Sequence, residues 1–188
     1  MSSLIPPIIS KIKLLARSRE VVLVAIDGVG GSGKTTLAEM IQRGLKDCVI
    51  IELDDFYSPK LGGADLIRLK EHVLSPLQDG REAKFQIFEW KMDSLSEWRI
   101  LKPEGIFIVE GVYALDKSIR DYYHLRIWID YPAELGFRRG IARDIARDGV
   151  DNSEKWKNIW MPLEEKYQNE QSPKLSADFI IDGKKLMD

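Results

Sequence analysis

At 188 residues, with 44% hydrophobic and 31% charged residues, the chain is long enough for one domain with a sizeable core and too apolar for disorder. A net charge of −2 argues against a nucleic-acid or anionic-membrane partner. The single cysteine, Cys48, excludes an internal disulfide and a cysteine-rich metal site, and at the start of an apolar run it is expected to be a buried structural thiol.

In chain order, the apolar residues that begin at Leu4 are broken by Pro6, Pro7, Lys11 and Lys13, which argues against a targeting peptide or membrane span and for a cytoplasmic protein. Ile8, Ile12 and Leu15 predict an amphipathic helix in an extension over about residues 1–19. Val21 to Ile26 is an apolar, β-branched run of the kind buried on both faces. The stretch that follows carries Gly28, Gly33, Lys34 and Thr35 at the spacing of the phosphate-binding loop, G-x-x-x-x-G-K-[ST].

The chemistry of that loop explains its composition. Gly28, Gly30, Gly31 and Gly33 let the backbone approach a ligand closely, so that the N–H groups of the loop, Ser32 and Thr36 included, converge on phosphate oxygens. The helix predicted over Thr36 to Lys46 adds the positive end of its dipole. Lys34 supplies a cation for the terminal phosphates, and Thr35 a hydroxyl for the Mg²⁺ that accompanies them.

Val49 to Leu53 reads as a second strand, ending at Asp54-Asp55-Phe56-Tyr57. Leu66, Leu69 and Val73 mark a helix that Pro76 is expected to stop. Arg81 to Trp98 has no clear period; its aromatic residues Phe85, Phe88 and Trp90 stand out. Ile106 to Val109, closed by Glu110-Gly111, and Leu125 to Ile129, closed by Asp130, are further buried strands. A helix is predicted over Ala133 to Arg147 and another from Asn152 or Ser153, either of which suits a cap, through Trp156, Ile159, Trp160 and Leu163. Phe179 to Ile181 is a last short strand.

Strands alternating with helices imply a parallel α/β sheet in three layers, with ligands bound beyond the carboxyl ends of the strands. Asp54, Glu110 and Asp130 all stand at such ends. Asp54 suits a general base or the holder of a Mg²⁺-bound water, with Asp55 its rival, and Asp130 suits a helix cap. Arg139, Arg143 and Arg147 recur every four residues, a like-charge stripe that fits either a phosphate-facing lid or a solvated face balanced by Glu134, Asp144 and Asp148. Tyr57, Phe88 and Trp90 suit stacking on a flat substrate or a place in the core. His72 and His124 have no partner at ligand spacing and read as surface or core histidines.

From about Val21 to Gly183 the sequence resembles the uridine kinase and phosphoribulokinase group of P-loop kinases. G-V-G-G-S-G-K-T-T resembles that group's nucleotide loop, and Asp54-Asp55-Phe56-Tyr57 is similar to its D-S-F-Y motif. Phe88-Glu89-Trp90 resembles Y-D-F, Glu110-Gly111 the E-G pair, and Ala177 to Ile181 the closing A-D-x-I-I strand. The resemblance implies Asp54 as catalytic base, Tyr57 in the substrate pocket, Glu110 working with the metal, and Arg143-Asp144 in the lid helix. Asp93 stands where uridine kinases carry a histidine, and Asp148-Gly149-Val150 replaces an arginine-glycine-arginine.

The expected protein is one P-loop kinase domain over residues 1–188, with a nucleoside- and nucleoside-monophosphate-kinase-like sheet and a helical lid at about 133–170. It uses ATP and Mg²⁺ to phosphorylate a hydroxyl of a small metabolite, a uridine- or cytidine-like nucleoside first. The catalytic set is Asp54, Lys34 and Arg143, the acceptor set Tyr57, Phe88, Trp90 and Asp93, and the metal set Thr35 and Glu110. A kinase for a pantothenate- or sugar-phosphate-like acceptor and a nucleotide-binding regulatory module are the alternatives. A GTPase switch is disfavoured because N-K-x-D is absent. A homo-oligomer is left open.

Overall fold

The computed structural model describes residues 5–186. Five parallel strands form the central sheet in the order β2-β7-β1-β8-β9. They are β1 (Val21–Gly28), β2 (Cys48–Glu52), β7 (Gly105–Glu110), β8 (Leu125–Asp130) and β9 (Phe179–Asp182). The period-two rule divides β1 between two cores: Val22, Val24 and Ile26 face one way, Leu23 and Ala25 the other, all fully buried. Ile8 and Ile12 of the N-terminal helix (Ile5–Ala16) join Leu37 and Ile41 of the loop helix (Lys34–Arg43) on the first side. Phe56, Leu69, Leu77 and Phe85 cover the second. This is the three-layer P-loop fold the sequence predicts; residues 1–4, the start of the expected extension, lie outside the described residues.

Several local expectations are corrected. The loop helix ends at Arg43, short of Lys46, with Gly44 as its C-cap. Pro76 does not stop its helix: Leu66–Leu69 is α-helical, Lys70–Leu74 forms a π turn, and Ser75–Gln78 continues past the proline. The wider i→i+5 turn before Pro76 accommodates a residue that has no N–H and crowds the carbonyl behind it. The unreadable stretch is an antiparallel hairpin of β5 (Ala83–Glu89) and β6 (Ser94–Leu101), and the short pair β3 (Tyr57–Ser58) and β4 (Gly63–Ala64) precedes it.

Cys48 is half-buried where a buried thiol was expected, and burial pushes its pKa up to about 11. Asp130 does not cap the following helix; it accepts an ion pair from Lys174 at 2.9 Å. Neither Asn152 nor Ser153 makes a side-chain cap. Asp151 does that work, accepting the Ser153 N–H at 2.9 Å. His124 is a satisfied structural histidine whose Nδ1 accepts the Leu23 N–H at 3.0 Å.

Candidate active site

β1 delivers the chain into the loop and the loop helix takes it out, with Gly33 as N-cap at φ 96°. Lys34 folds its ammonium back into the loop, donating to the carbonyls of Gly28 (3.1 Å) and Val29 (2.9 Å). Ser32 is fully buried and its hydroxyl has no protein partner. A buried hydroxyl without a partner calls for an explanation, and here it lies in the loop that holds the buried Lys34 ammonium. The loop residues therefore fit a phosphate group, which would satisfy Ser32 and give Lys34 an anion.

The parallel register sets Glu110 beside Ile26 and opposite Glu52, at the mouth of this loop. Thr35 Oγ1 donates to Glu110 Oε1 at 2.7 Å. Burial pushes the Glu110 pKa up to about 7, against the pull of Lys34 and the Thr35 hydroxyl, while Asp54 and Glu52 push it further up. Among the described residues no group of three or more carboxylates, histidines or cysteines forms a protein metal cage. A hydroxyl and one carboxylate next to a phosphate loop match Mg²⁺, which keeps most of its waters and takes phosphate oxygens as ligands.

Asp54 and Asp55 face different surroundings. Both lie in the 3₁₀ turn Leu53–Phe56 that closes β2. Asp55 turns to the hairpin, where Arg99 holds it at 3.2 Å; burial still raises its pKa to about 6. Arg68 fastens the same turn, donating to the carbonyls of Asp55 and Gln86 and lying over the Phe56 ring. Asp54 is exposed, and its charge is felt by Glu110 and by Glu164.

Tyr57, Phe88 and Trp90 come together in tilted and edge-on ring contacts, Tyr57 and Trp90 with centroids 4.2 Å apart, and Trp90 continues the contact edge-on to Trp160. Asp93 is not among them. It occupies the exposed turn between β5 and β6 at φ 48°, a left-handed conformation that aspartate tolerates. A cavity of about 270 Å³ opens next to the β3–β4 pair, lined by Ala64, Leu66, Tyr113, Leu163 and Tyr167. Tyr113 holds φ 79° there and packs on Tyr167 at 4.8 Å.

The helix Ala133–Asp148 carries the arginine stripe. Arg143 donates through Nε and Nη2 to Asp144, Arg138 pairs with Glu134, and Arg139 lies over the Tyr131 ring. Arg147 acts on Glu52, whose pKa is raised mainly by burial and lowered by Arg99 and Arg147. In this conformation the stripe is engaged by protein groups; the side chain of Asp148 lies outside the described residues.

With this geometry in hand, the profile of the phosphoribulokinase/uridine kinase family matches residues 55–185. The chain belongs to that family. The uridine kinase of Macrococcus caseolyticus is 29% identical over 145 residues, covering 68% of this chain and 70% of that protein. The uridine kinase of Staphylococcus epidermidis is 25% identical over 183 residues, covering 86% and 87%. The inorganic pyrophosphatase TTM2 of Arabidopsis thaliana is 29% identical over 158 residues, but the match covers 78% of this chain and only 23% of that longer protein. Among solved structures, one described as a possible uridine kinase from Bacillus stearothermophilus aligns over 94% of this chain and 100% of that one, with TM-score 0.67 and 19% identity. A provisionally assigned fructose transport system kinase from Silicibacter sp. TM1040 aligns with TM-score 0.73 and 16% identity, covering 95% and 99%. Both share the fold.

This family member also places groups at the loop that the sequence reading passed over. Asp27, fully buried at the end of β1, accepts the N–H groups of Gly28 (2.6 Å) and Leu115 (2.9 Å) and the Tyr167 hydroxyl (2.7 Å). A lone charge closing an apolar strand was a readable signal for it. Glu164 accepts the Gly30 N–H at 2.9 Å, a contact spanning 134 residues that no local pattern encodes. Trp156 lies against Gly30 and Gly140, its Nε1 donating to buried Asp144 at 2.9 Å. No helix among the described residues is long and apolar enough to cross a membrane.

Proposed function

We propose that the protein is an ATP- and Mg²⁺-dependent kinase, a single domain that phosphorylates a hydroxyl group of a small metabolite, a uridine- or cytidine-like nucleoside first. The observation that carries this reading is the meeting at one sheet edge of a phosphate loop with a buried lysine, the Thr35–Glu110 pair, and an exposed Asp54 within their field. Lys34 and the loop N–H groups from Gly28 to Thr36 hold the phosphates, and Thr35 with Glu110 holds Mg²⁺. ATP supplies the phosphoryl group, and its metal neutralises charge on it.

The chain's own part is positioning and proton transfer. Asp54, exposed and free of the ion pair that occupies Asp55, accepts the acceptor's hydroxyl proton. The helix Ala133–Asp148 acts as a lid whose arginines, Arg143 among them, leave their resting partners to face the phosphates and exclude water. The cavity of about 270 Å³ beside Tyr113 is at the small end for ligand sites, in keeping with a metabolite of nucleoside size. Tyr57 pairs across the β3–β4 ladder with Ala64, which lines that cavity, and Phe88 and Trp90 pack on Tyr57. Pantothenate-like and sugar-phosphate-like acceptors share the same hydroxyl chemistry and belong in the same trial.

Two substitutions test the division of labour. Lys34→Ala is expected to abolish ATP binding. Asp54→Asn is expected to keep ATP affinity within about twofold while turnover falls by roughly 10²–10⁴. Unchanged turnover in Asp54→Asn would remove Asp54 from the chemistry.

A further inference from the structure

Glu164 is a carboxylate at the phosphate loop to which the kinase reading gives no task. Its Oε2 accepts the Gly30 N–H at 2.9 Å. The charges of Lys34, Asp27 and Asp54 all act on it. Trp156 covers the same peptide: a Cβ on Gly30 would stand 2.5 Å from its ring and 2.9 Å from Glu164 Oε1. The carbonyl of Gly136 closes on Gly31 in the same manner.

A carboxylate accepting a loop N–H beside the loop lysine uses the chemistry of a phosphate oxygen. We propose that Glu164 is an internal anion that latches the phosphate loop in the free protein, and that nucleotide entry displaces it together with Trp156. This inference rests on the nucleotide-binding reading. The latch opposes binding in two ways. Its bond to Gly30 must break, and its charge repels an incoming polyphosphate at short range.

The helix that carries the latch is built to bend. Trp156–Trp160 is a π turn, and Met161–Gln171 follows with Pro162 near its start, so the regular i→i−4 ladder is interrupted on the N-terminal side of Glu164. Toward its C-terminal end the Tyr167–Asp27 bond fixes the segment to the sheet. Trp156 is tied instead to the arginine helix through Asp144 and rests on Gly140. The segment can therefore release the loop on the tryptophan side while Tyr167 stays in place.

The test is calorimetric titration of the full chain with Mg·ATP, for wild type, Glu164→Ala, Glu164→Gln and the exposed neighbour Glu165→Ala, with the Gly30 amide exchange rate of each free protein measured by NMR. Glu164→Ala is expected to bind about tenfold more tightly and Glu164→Gln about threefold, since glutamine keeps an acceptor and loses the charge. Glu165→Ala should match wild type, and Gly30 exchange should accelerate in Glu164→Ala. ATP binding by wild type with equal or weaker affinity in Glu164→Ala overturns the latch alone. Equal tightening in Glu165→Ala reduces the effect to net charge and also overturns it. If no variant binds ATP, the nucleotide reading falls first, and the latch with it.

Discussion

Tyr167→Phe removes one oxygen atom and tests how the sheet holds the segment that covers the loop. The hydroxyl donates to Asp27 Oδ2 at 2.7 Å, and Asp27 is fully buried. Burial raises the Asp27 pKa from 3.8 to about 6, while the Tyr167 hydroxyl, with the Leu115 and Gly28 N–H groups, pulls it down. A buried hydrogen bond to a charged acceptor contributes about 1.5–3 kcal/mol, and to a neutral one about 0.5–1.5 kcal/mol. Above pH 7 Asp27 is ionised, so the variant should lose about 2 kcal/mol; at pH 5 the folded-state carboxyl is mostly protonated and the loss should shrink to about 1 kcal/mol. For a chain of this length that is a fall in Tm of about 4–8 °C at pH 8 and about half as much at pH 5. Urea titrations of both proteins at the two pH values make the measurement. A variant as stable as wild type at pH 8, or a loss independent of pH, would refute the reasoning.

Asp27 also sets a slope of its own. Its folded-state pKa lies above the unfolded value, so between pH 4 and 6 the folded protein binds more protons, and the contribution to stability falls as pH rises through that window, by about 3 kcal/mol in total for a shift of about two units. Asp27→Asn should remove that slope in urea titrations across pH 4–8. Gly31→Ala places a Cβ on the Gly136 carbonyl at φ 71° and should cost more than about 2 kcal/mol in thermal or urea unfolding. Asp144→Ala leaves the Trp156 N–H buried without its acceptor, at a cost of about 1–3 kcal/mol and with a change in tryptophan emission. Arg143→Ala removes the half-exposed cation from a buried carboxylate that Trp156 still holds, so stability should fall by about 1–3 kcal/mol, while the lid role predicts a drop in turnover of at least about tenfold.

What was legible in the sequence was what local pattern encodes. β1, its glycine loop and the helix behind it announce themselves by a doubly buried run and a fixed spacing, and Glu110 by its place at the end of β7. The hairpin was hidden for two physical reasons. β6 exposes Leu95, Trp98 and Ile100, which blurs the in–out alternation, and a register shift between Gln86 and Phe88 breaks the period of β5. Pro76 misled because a π turn can carry a helix past a proline. That Asp55 is engaged by Arg99, from 44 residues away, is a tertiary contact that no local pattern encodes. The groups that close the loop, Glu164 and Trp156, meet it only through tertiary packing, and no spacing rule reaches that far.

Kinase chemistry itself is most directly tested by release of ADP from Mg·ATP across a panel of nucleosides, pantothenate and small sugars, beginning with uridine and with Lys34→Ala alongside. The account predicts turnover that depends on one acceptor and vanishes in Lys34→Ala. ATP binding with no acceptor raising the rate above the background of Lys34→Ala would contradict it and favour a nucleotide-binding regulatory module.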